Sequence, residues 1–431
     1  MSSGQPSALS AEVFSPAGRS RPWHVLVVAE HFPSRIQPWL LNSVGEVLRR
    51  GAQVTIVANR QQGASYPEKV ERLGLLARTV YFPADSPLDL GKAAQRFLAP
   101  GSSRSAWRGL WRLLGSGYRP SGLRAWGKAM LRAPLLEGGF DLVHTHYFDG
   151  SYEYLFVARV LGIPLITTFH GLPPRGVKKL PRAKASAVFE HGTLFLVNTR
   201  FAQGQLESQG CPPGKIRIVP QGLALAEYPY RPREFPAQGT LVLLTVCRLT
   251  PDKGLRYALE ACRLLHARGI EFEYRIVGTG PERAQLEALV GECGLQGKVK
   301  FLGEVTDAEL SRQYGEAHIF ILPSVPDETG EYHVETQGVV LQEAQASGAL
   351  VVATTTGGMP ECVEDGVSAF LAPPRDAEAL AAKVLWLTQH GEQWRQWQEA
   401  GRKWVEQRFS IESVGQLLWN AYDEARRNVI G

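Results

Sequence analysis

Short apolar runs alternate with longer stretches whose apolar positions recur every third or fourth residue, and the alternation continues along almost the whole chain. A short unbroken run reads as a strand buried on both faces, and a three-to-four period as one buried face of a helix. His24–Ala29 (HVLVVA) is the first such strand. Leu40, Leu41, Val44, Val47 and Leu48 then mark a helix that stops at Gly51, and Val54–Ala58 is the next strand. Asp141–His146, Leu165–Phe169 and Leu194–Asn198 follow, with a helical segment over Tyr152–Leu161. Alternation of this kind predicts a parallel α/β fold.

Around residues 220–239 the periodicity breaks at Pro220, Pro229, Pro232 and Pro236, which marks a linker. The pattern restarts with strand Leu241–Val246, helix Leu255–Ala267 and strand Phe272–Val277. Strands near Lys300–Leu302, Ile319–Leu322 and Leu350–Ala353 complete it, and after Pro374 the chain is mostly helical. Trp386, Trp394, Trp397, Trp404 and Trp419 there read as packing residues. With 431 residues the chain is too long for one ordinary core. The expected architecture is therefore two Rossmann-like doubly wound domains facing a central cleft. The expected segments are a loose, disordered tail (1–21), an N-terminal acceptor domain (22–219), the linker (220–239), a donor domain (240–405) and a C-terminal helix (406–431) crossing back to the first domain. Ligands of such folds bind beyond the carboxyl ends of the strands.

Composition narrows the class only a little. A net charge of +5 is too mild to imply nucleic acid as a partner. Five scattered cysteines, odd in number and never as a C-x-x-C pair, point to reduced thiols in the cytoplasm and against a disulfide scaffold or a zinc cluster. The first 21 residues hold no apolar run suited to a secretory signal, and no stretch approaches a membrane span. The expectation is a cytoplasmic protein, either free or peripheral on the inner face of the membrane.

Candidate chemistry collects at the ends of the predicted strands. Arg248 and Lys253 lie between the end of Leu241–Val246 and a helix start near Gly254, where cations and backbone N–H groups can together meet a diphosphate. Taken alone they read more simply as solvated surface cations. Beyond Ile319–Leu322 come Glu335 and Glu343, the first in a loop and the second on a helix from Gly338 to Ser347. Free N–H groups at Gly338, Val339 and Val340 would suit phosphate, and the glutamates would suit sugar and ribose hydroxyls. As an isolated pair the glutamates read more simply as a solvated face. Gly278 and Gly280 either permit a close approach near the donor or form a plain turn before Pro281. His170 ends strand Leu165–Phe169 and could bond the donor sugar or its phosphate, His144 reads as structural, and His146 is open between the two. No third ligand at a metal-binding spacing accompanies these histidines.

In combination these features resemble the family-four retaining glycosyltransferases of GT-B fold, over roughly residues 22–410. The motifs run in order: Val246-Cys-Arg-Leu with Lys253-Gly254, Val277-Gly-Thr-Gly-Pro281, Phe301-Leu-Gly303, Leu322-Pro-Ser324, Glu335-x7-Glu343, Ala346-Ser-Gly348 and Gly357-Gly-Met-Pro-Glu361. The loop Phe32-Pro-Ser-Arg-Ile-Gln-Pro-Trp39 resembles the exopolysaccharide and colanic-acid-type subgroup. In one place the chain departs from the family: Thr336-Gln337 stands where Gly-Phe is usual, which leaves the loop conformation around the sugar open.

The resemblance implies transfer of a hexose from a nucleotide sugar, UDP-linked or less favoured GDP-linked, to a glycan or lipid-linked saccharide. Arg248 and Lys253 would hold the diphosphate and stabilise the leaving group, with Glu335 on the sugar, Glu343 on the ribose and His170 beside the donor. The chain has no Asp-x-Asp pair, so no metal or other cofactor is expected. Retention without a nucleophile implies front-face attack. The competing readings are an epimerase, phosphorylase or sucrose-type synthase built on the same pocket, and a nucleotide-sugar-binding subunit without turnover.

Two basic clusters bear on the acceptor. From Leu90 to Leu136 there are nine basic residues and no acidic one, with Arg104, Arg108 and Arg112 at helical spacing beside Trp107, Trp111 and Leu114. This is either a helix for an anionic membrane surface or an amphipathic helix with a solvated basic face and its tryptophans in the core. Arg175, Lys178, Lys179, Arg182 and Lys184 could meet a lipid diphosphate, or form a solvated loop.

Overall fold

The computed structural model describes residues 21–33, 38–61, 68–82, 104–120, 122–171, 182–237, 239–327 and 334–430. The centre of the Phe32–Trp39 loop, residues 90–103, and Arg175, Lys178 and Lys179 lie outside them.

Among the described residues thirteen strands form two sheets, seven-stranded in the order β3-β2-β1-β4-β5-β6-β7 and six-stranded in the order β10-β9-β8-β11-β12-β13. In the first sheet the strands are β1 (His24–Val28), β2 (Gln53–Ala58), β3 (Thr79–Tyr81), β4 (Leu142–His146), β5 (Leu165–Phe169), β6 (Leu194–Val197) and β7 (Ile216–Ile218). The second comprises β8 (Leu241–Val246), β9 (Phe272–Val277), β10 (Val299–Gly303), β11 (Ile319–Leu322), β12 (Leu350–Thr354) and β13 (Phe370–Ala372). Their described pairings are parallel, as the alternation of strand and helix requires. Every residue of β4, β5, β6, β11 and β12 is buried; β6 and β11 are apolar throughout, whereas β4 and β5 also bury His144, Thr145, His146, Thr167 and Thr168.

The chain divides into two compact units. One comprises 1–145, 153–165 and 425–431; in it β1, β2 and β4 pair in register from Val25 onward, and Arg426 of the C-terminal helix Ile411–Ile430 lies over the Trp23 ring at 5.5 Å. The other comprises 146–152 and 166–424, and holds the whole six-stranded sheet. Its core covers both sides of that sheet: on one, helices Leu255–Ala267 and Ala377–Gln389 bury Leu259, Cys262, Leu265, Leu380 and Val384 against β8, β9 and β12. Helix Val339–Ser347 packs Leu341 and Ala344 on the opposite side with Phe320 and Val351.

Within this unit the proline-rich stretch 220–239 lies as a strap rather than a free loop. Leu223 exchanges backbone hydrogen bonds with Phe409 (2.7 Å) and Ile411 (3.0 Å), and Arg402 donates to the Tyr228 carbonyl (3.0 Å). The side-chain amide of Gln398 both accepts from the Arg233 N–H (3.0 Å) and donates to its carbonyl (2.9 Å). Prolines remove backbone donors, so side-chain amides and neighbouring chain supply the bonds a strand partner would.

Helix Arg104–Gly115 belongs to the first unit and turns Ala106, Gly109, Leu110 and Leu113 inward. Gly109 abuts the carbonyl of Ala133 so closely that a Cβ there would lie 2.0 Å from it. Trp107 and Trp111 point to solvent, 39% and 68% exposed. The core placement of these tryptophans, one of two readings of the sequence, is therefore incorrect: the small residues, not the indoles, make the close packing.

Candidate active site

In the six-stranded sheet the strand order reverses between β8 and β11, which pair through Ile319–Leu243 and Phe320–Leu244. A crevice opens beyond strand ends at such a switch point. Arg248 and Lys253 follow β8, and Ser324, Glu335 and the helix Val339–Ser347 follow β11, so the topology brings together segments some 80 residues apart in sequence.

The loop after β8 is short and tightly tied. Residues Pro251–Lys253 form one turn of 3₁₀ helix, Gly254 takes the left-handed conformation, and helix Leu255–Ala267 begins. The Asp252 carbonyl accepts from Val325 N (2.9 Å), which joins this loop to the one after β11. Gly278, at φ +125°, lies against the same segment: a Cβ there would stand 1.9 Å from the Cys247 carbonyl, and one at Gly280 2.3 Å from the Leu249 carbonyl. Neither reading of this Gly-x-Gly foresaw its packing partner, which is the backbone of the Arg248 loop itself.

Lys253 is half-buried, and its Nζ donates to Glu335 Oε2 at 2.7 Å, with Asp252 Oδ2 at 3.4 Å. Burial pulls the lysine pKa down, but Glu335 and Asp252 outweigh it and hold the ammonium above its ordinary value. Burial likewise pushes Glu335 up, and Lys253 with the Gly338 and Gln337 N–H groups brings it below the usual carboxylate range. Both groups are therefore charged at neutral pH. Arg248 is exposed and makes no side-chain hydrogen bond to the described residues. Asp252 went unnoticed in the sequence; it is 3% exposed, and neither carboxylate oxygen has a hydrogen-bond donor among the described residues.

Of the three N–H groups expected to be free for phosphate, that of Gly338 is occupied. It donates to Glu335 Oε1 at 2.9 Å, because Gly338 in the left-handed conformation turns the helix start back onto its own loop. The expectation of a free donor at Gly338 is corrected accordingly.

Glu343, one turn into the helix, has a different surrounding. Oε1 accepts from the Tyr228 hydroxyl (2.9 Å) and Oε2 from the Tyr314 hydroxyl (2.6 Å). Burial raises its pKa, and the two phenols only partly offset that. Neither tyrosine stood out in the sequence, one lying in the aperiodic strap and the other on the helix Asp307–Glu316.

The unusual Thr336-Gln337 pair is buried and fully engaged. Thr336 donates from Oγ1 to the His170 carbonyl (3.1 Å) and accepts at its own carbonyl from Thr199 Oγ1 (2.8 Å). Gln337 accepts from Gln221 N (2.7 Å) and donates to the Gln221 carbonyl (3.0 Å) and Gln342 Oε1 (2.9 Å). The loop conformation left open by the sequence is thus fixed by side-chain bonds. Glu361, last residue of the Gly357–Glu361 motif, caps helix Arg200–Ser208 through Arg200 N and Phe201 N, both at 2.8 Å.

His170 follows β5, and its Nε2 lies 3.1 Å from His146 Nδ1 with the rings stacked. His146 therefore belongs with His170. His144, in the first unit, is fully buried with its pKa pushed down to about 3 by burial, in keeping with the structural reading. Among the described residues no three metal-ligating side chains converge. Lys184 lies over the Tyr152 ring at 4.9 Å.

Comparison with known proteins decides the family. The profile "Glycosyl transferases group 1" matches residues 229–404 and "Glycosyltransferase Family 4" matches residues 39–227. The chain is 32% identical to a putative colanic acid biosynthesis glycosyltransferase, WcaL, of Salmonella typhimurium, over 82% of this chain and 87% of that protein. It is 33% identical to the amylovoran biosynthesis glycosyltransferase AmsK of Erwinia amylovora, over 83% and 89%. The chain belongs to the family-four glycosyltransferases. Solved structures agree on the fold of this glycosyltransferase. A Rickettsia africae glycosyltransferase superposes with TM-score 0.69 at 18% identity, covering 94% of this chain and 98% of that one. Anabaena Alr3699/HepE in complex with UDP gives 0.68 at 16%, covering 92% and 98%. The GT-B assignment drawn from the sequence motifs stands.

Proposed function

We propose that this glycosyltransferase moves a hexose from a UDP-sugar, with retention of configuration, to a glycan or lipid-linked saccharide in polysaccharide or glycolipid synthesis. The observation that carries the reading is the Lys253–Glu335 pair beside exposed Arg248 at the strand-order switch. A paired ammonium and an exposed guanidinium flank the place where a diphosphate would reach helix and strand ends, and a carboxylate would face the neighbouring sugar. Lys253 has three protons and gives one to Glu335, so it keeps donors for a phosphate oxygen. Alr3699/HepE, similar in fold, has been crystallised with UDP and with UDP-glucose, and WcaL and AmsK are named for polysaccharide synthesis.

In the proposed step the acceptor hydroxyl oxygen bonds to the anomeric carbon from the face that the diphosphate leaves. The carbon–oxygen bond to the β-phosphate breaks, its electron pair stays on the phosphate oxygen, and the hydroxyl proton passes to that oxygen. Arg248 and Lys253 meet the charge that develops there, in place of a divalent cation, while Glu335 and His170 orient the sugar and Glu343 holds the ribose. Thermal-shift measurements should show stabilisation by UDP and UDP-hexoses. Transfer from an α-linked UDP-hexose should give an α-linked product by NMR and persist in EDTA. A β-linked product would overturn retention, and stabilisation by GDP alone would overturn the base.

The helix Arg104–Gly115 supports a membrane-facing role for the first unit. Arg104, Arg108, Trp107, Trp111 and Leu114 are exposed together, while Arg112 also donates to the Leu136 carbonyl (3.0 Å). Cations interleaved with exposed indoles suit an anionic lipid surface. No helix among the described residues is long and apolar enough to cross a membrane. Flotation with phosphatidylglycerol vesicles should carry the protein up, and Arg104→Glu with Arg108→Glu should abolish this. Unchanged flotation of that variant would dismiss the surface.

A further inference from the structure

We propose that Tyr228 and Tyr314 are positioning residues that fix the Glu343 carboxylate as a receptor for a vicinal diol, so that the strap 220–239 takes part in selecting a ribonucleotide donor. The inference rests on the reading of Glu343 as the ribose-binding group.

Each carboxylate oxygen of Glu343 accepts one phenolic hydroxyl, Oε1 from Tyr228 at 2.9 Å and Oε2 from Tyr314 at 2.6 Å. A carboxylate has about four lone-pair sites, so one on each oxygen remains. Two adjacent acceptors of this kind match the two hydroxyls of a cis-diol and offer nothing to a single hydroxyl that a water could not replace. The phenols also keep the acceptor in its accepting form. Burial drives Glu343 toward protonation, the phenolic donors oppose it, and burial holds both tyrosines well above their ordinary pKa, so they remain donors.

The pair is held more firmly than charge satisfaction needs. Tyr314 is wholly buried on helix Asp307–Glu316, and its ring meets Tyr228 edge-on at 6.1 Å. Tyr228 donates its N–H to the Leu225 carbonyl (3.1 Å), and Arg402 Nη1 bridges the carbonyls of Tyr228 (3.0 Å) and Ala346 (2.9 Å). That arginine ties the strap to the helix carrying Glu343, three residues beyond the glutamate. Strap, tyrosine and carboxylate are therefore joined by one continuous set of hydrogen bonds.

The experiment is calorimetric titration of the full chain and of Tyr228→Phe, Tyr314→Phe and Glu343→Gln with UDP and with 2′-deoxy-UDP. The wild-type protein should prefer UDP by about tenfold or more. Tyr228→Phe should weaken UDP about fivefold, the loss expected of one hydrogen bond, and leave 2′-deoxy-UDP within twofold. Tyr314→Phe should do the same; Tyr228, only half-buried, carries the test if the Tyr314 variant fails to fold. An unchanged preference in Tyr228→Phe, or equal weakening of both nucleotides, overturns the positioning role. Glu343→Gln separates the two levels. If it erases the preference while Tyr228→Phe does not, only the tyrosine inference falls; if it keeps the preference, the ribose reading of Glu343 falls with it.

Discussion

Glu335 and Glu343 are the same residue type, eight positions apart on one loop and helix, yet their environments push them in opposite directions. Glu335 meets the Lys253 ammonium and two backbone N–H groups, and its pKa lies below the usual carboxylate range. Glu343 meets two phenols and, among the described residues, no cation, and its pKa is raised above the ordinary carboxylate value. Burial raises both; what differs is whether the compensating group carries a charge. The contrast suits a division of labour. A carboxylate locked in an ion pair keeps its charge beside a reacting sugar, whereas one held by neutral donors is a geometric receptor for hydroxyls.

The sharpest way to break this contrast is to remove the cation. Lys253→Ala should lower kcat/KM about 10³-fold, the order found when a preorganised donor to developing charge is lost. It should also release Glu335 from its ion pair, so that the carboxylate takes up a proton more readily. Arg248→Ala removes an exposed cation with no side-chain partner among the described residues, and should cost activity but leave the melting temperature within about 1 °C, since surface changes of this kind are near-neutral for stability. Equal effects of the two variants on both activity and melting would mean that the buried pair has no special part.

Acidification separates the two glutamates without mutation. Glu343, raised, takes up its proton first as pH falls, whereas Glu335, depressed, stays ionised longer. A protonated Glu343 loses acceptor capacity, so UDP affinity should weaken at a pH above the ordinary carboxylate range, by up to tenfold per pH unit beyond the midpoint. The affinity for 2′-deoxy-UDP should fall less steeply there. Parallel curves for the two nucleotides would erase the distinction.

Much of this was legible beforehand, and what escaped had a physical reason. Strands Leu241–Val246, Phe272–Val277 and Ile319–Leu322 and helix Leu255–Ala267 stand where their patterns placed them, because the inward positions are apolar: Ile319–Leu322 is apolar throughout, whereas Phe272, Tyr274 and Ile276 alternate with the less buried Glu273 and Arg275. Strands Thr79–Tyr81, Ile216–Ile218 and Phe370–Ala372 were missed; each is three residues long and lies at a sheet edge. Arg248, Lys253 and both glutamates could be placed at strand ends, and the pairing of Lys253 with Glu335 needed only the β8–β11 switch to be known. Tyr228 could not be found in this way. It sits among prolines with no period, and its role depends on Arg402, far along the chain. The Gln337 clamp was invisible for a related reason: a glutamine that mimics a backbone partner has no sequence signature, only a destination.

Between the two glutamates lie Thr336 and Gln337, and they provide the last and smallest way to test the comparison. Gln337 grips the Gln221 backbone through both its N–H and carbonyl, while Thr336 bonds the His170 carbonyl. Both bonds set where Glu335 stands relative to His170, and neither touches the Glu343 carboxylate. Thr336→Val removes one hydroxyl and keeps the shape, a loss of about 1 kcal/mol for a hydroxyl–carbonyl bond. If Glu335 and His170 act together on the sugar, kcat should fall about fivefold with UDP affinity unchanged, and Thr336→Ser should restore it. If instead the hydroxyl only stabilises the loop, Thr336→Val should lower the melting temperature and leave kcat where it was. A fall in UDP affinity would be the most damaging outcome, since it would mean that the loop and the helix beyond it respond as one element and that the opposed environments of Glu335 and Glu343 do not mark separate tasks.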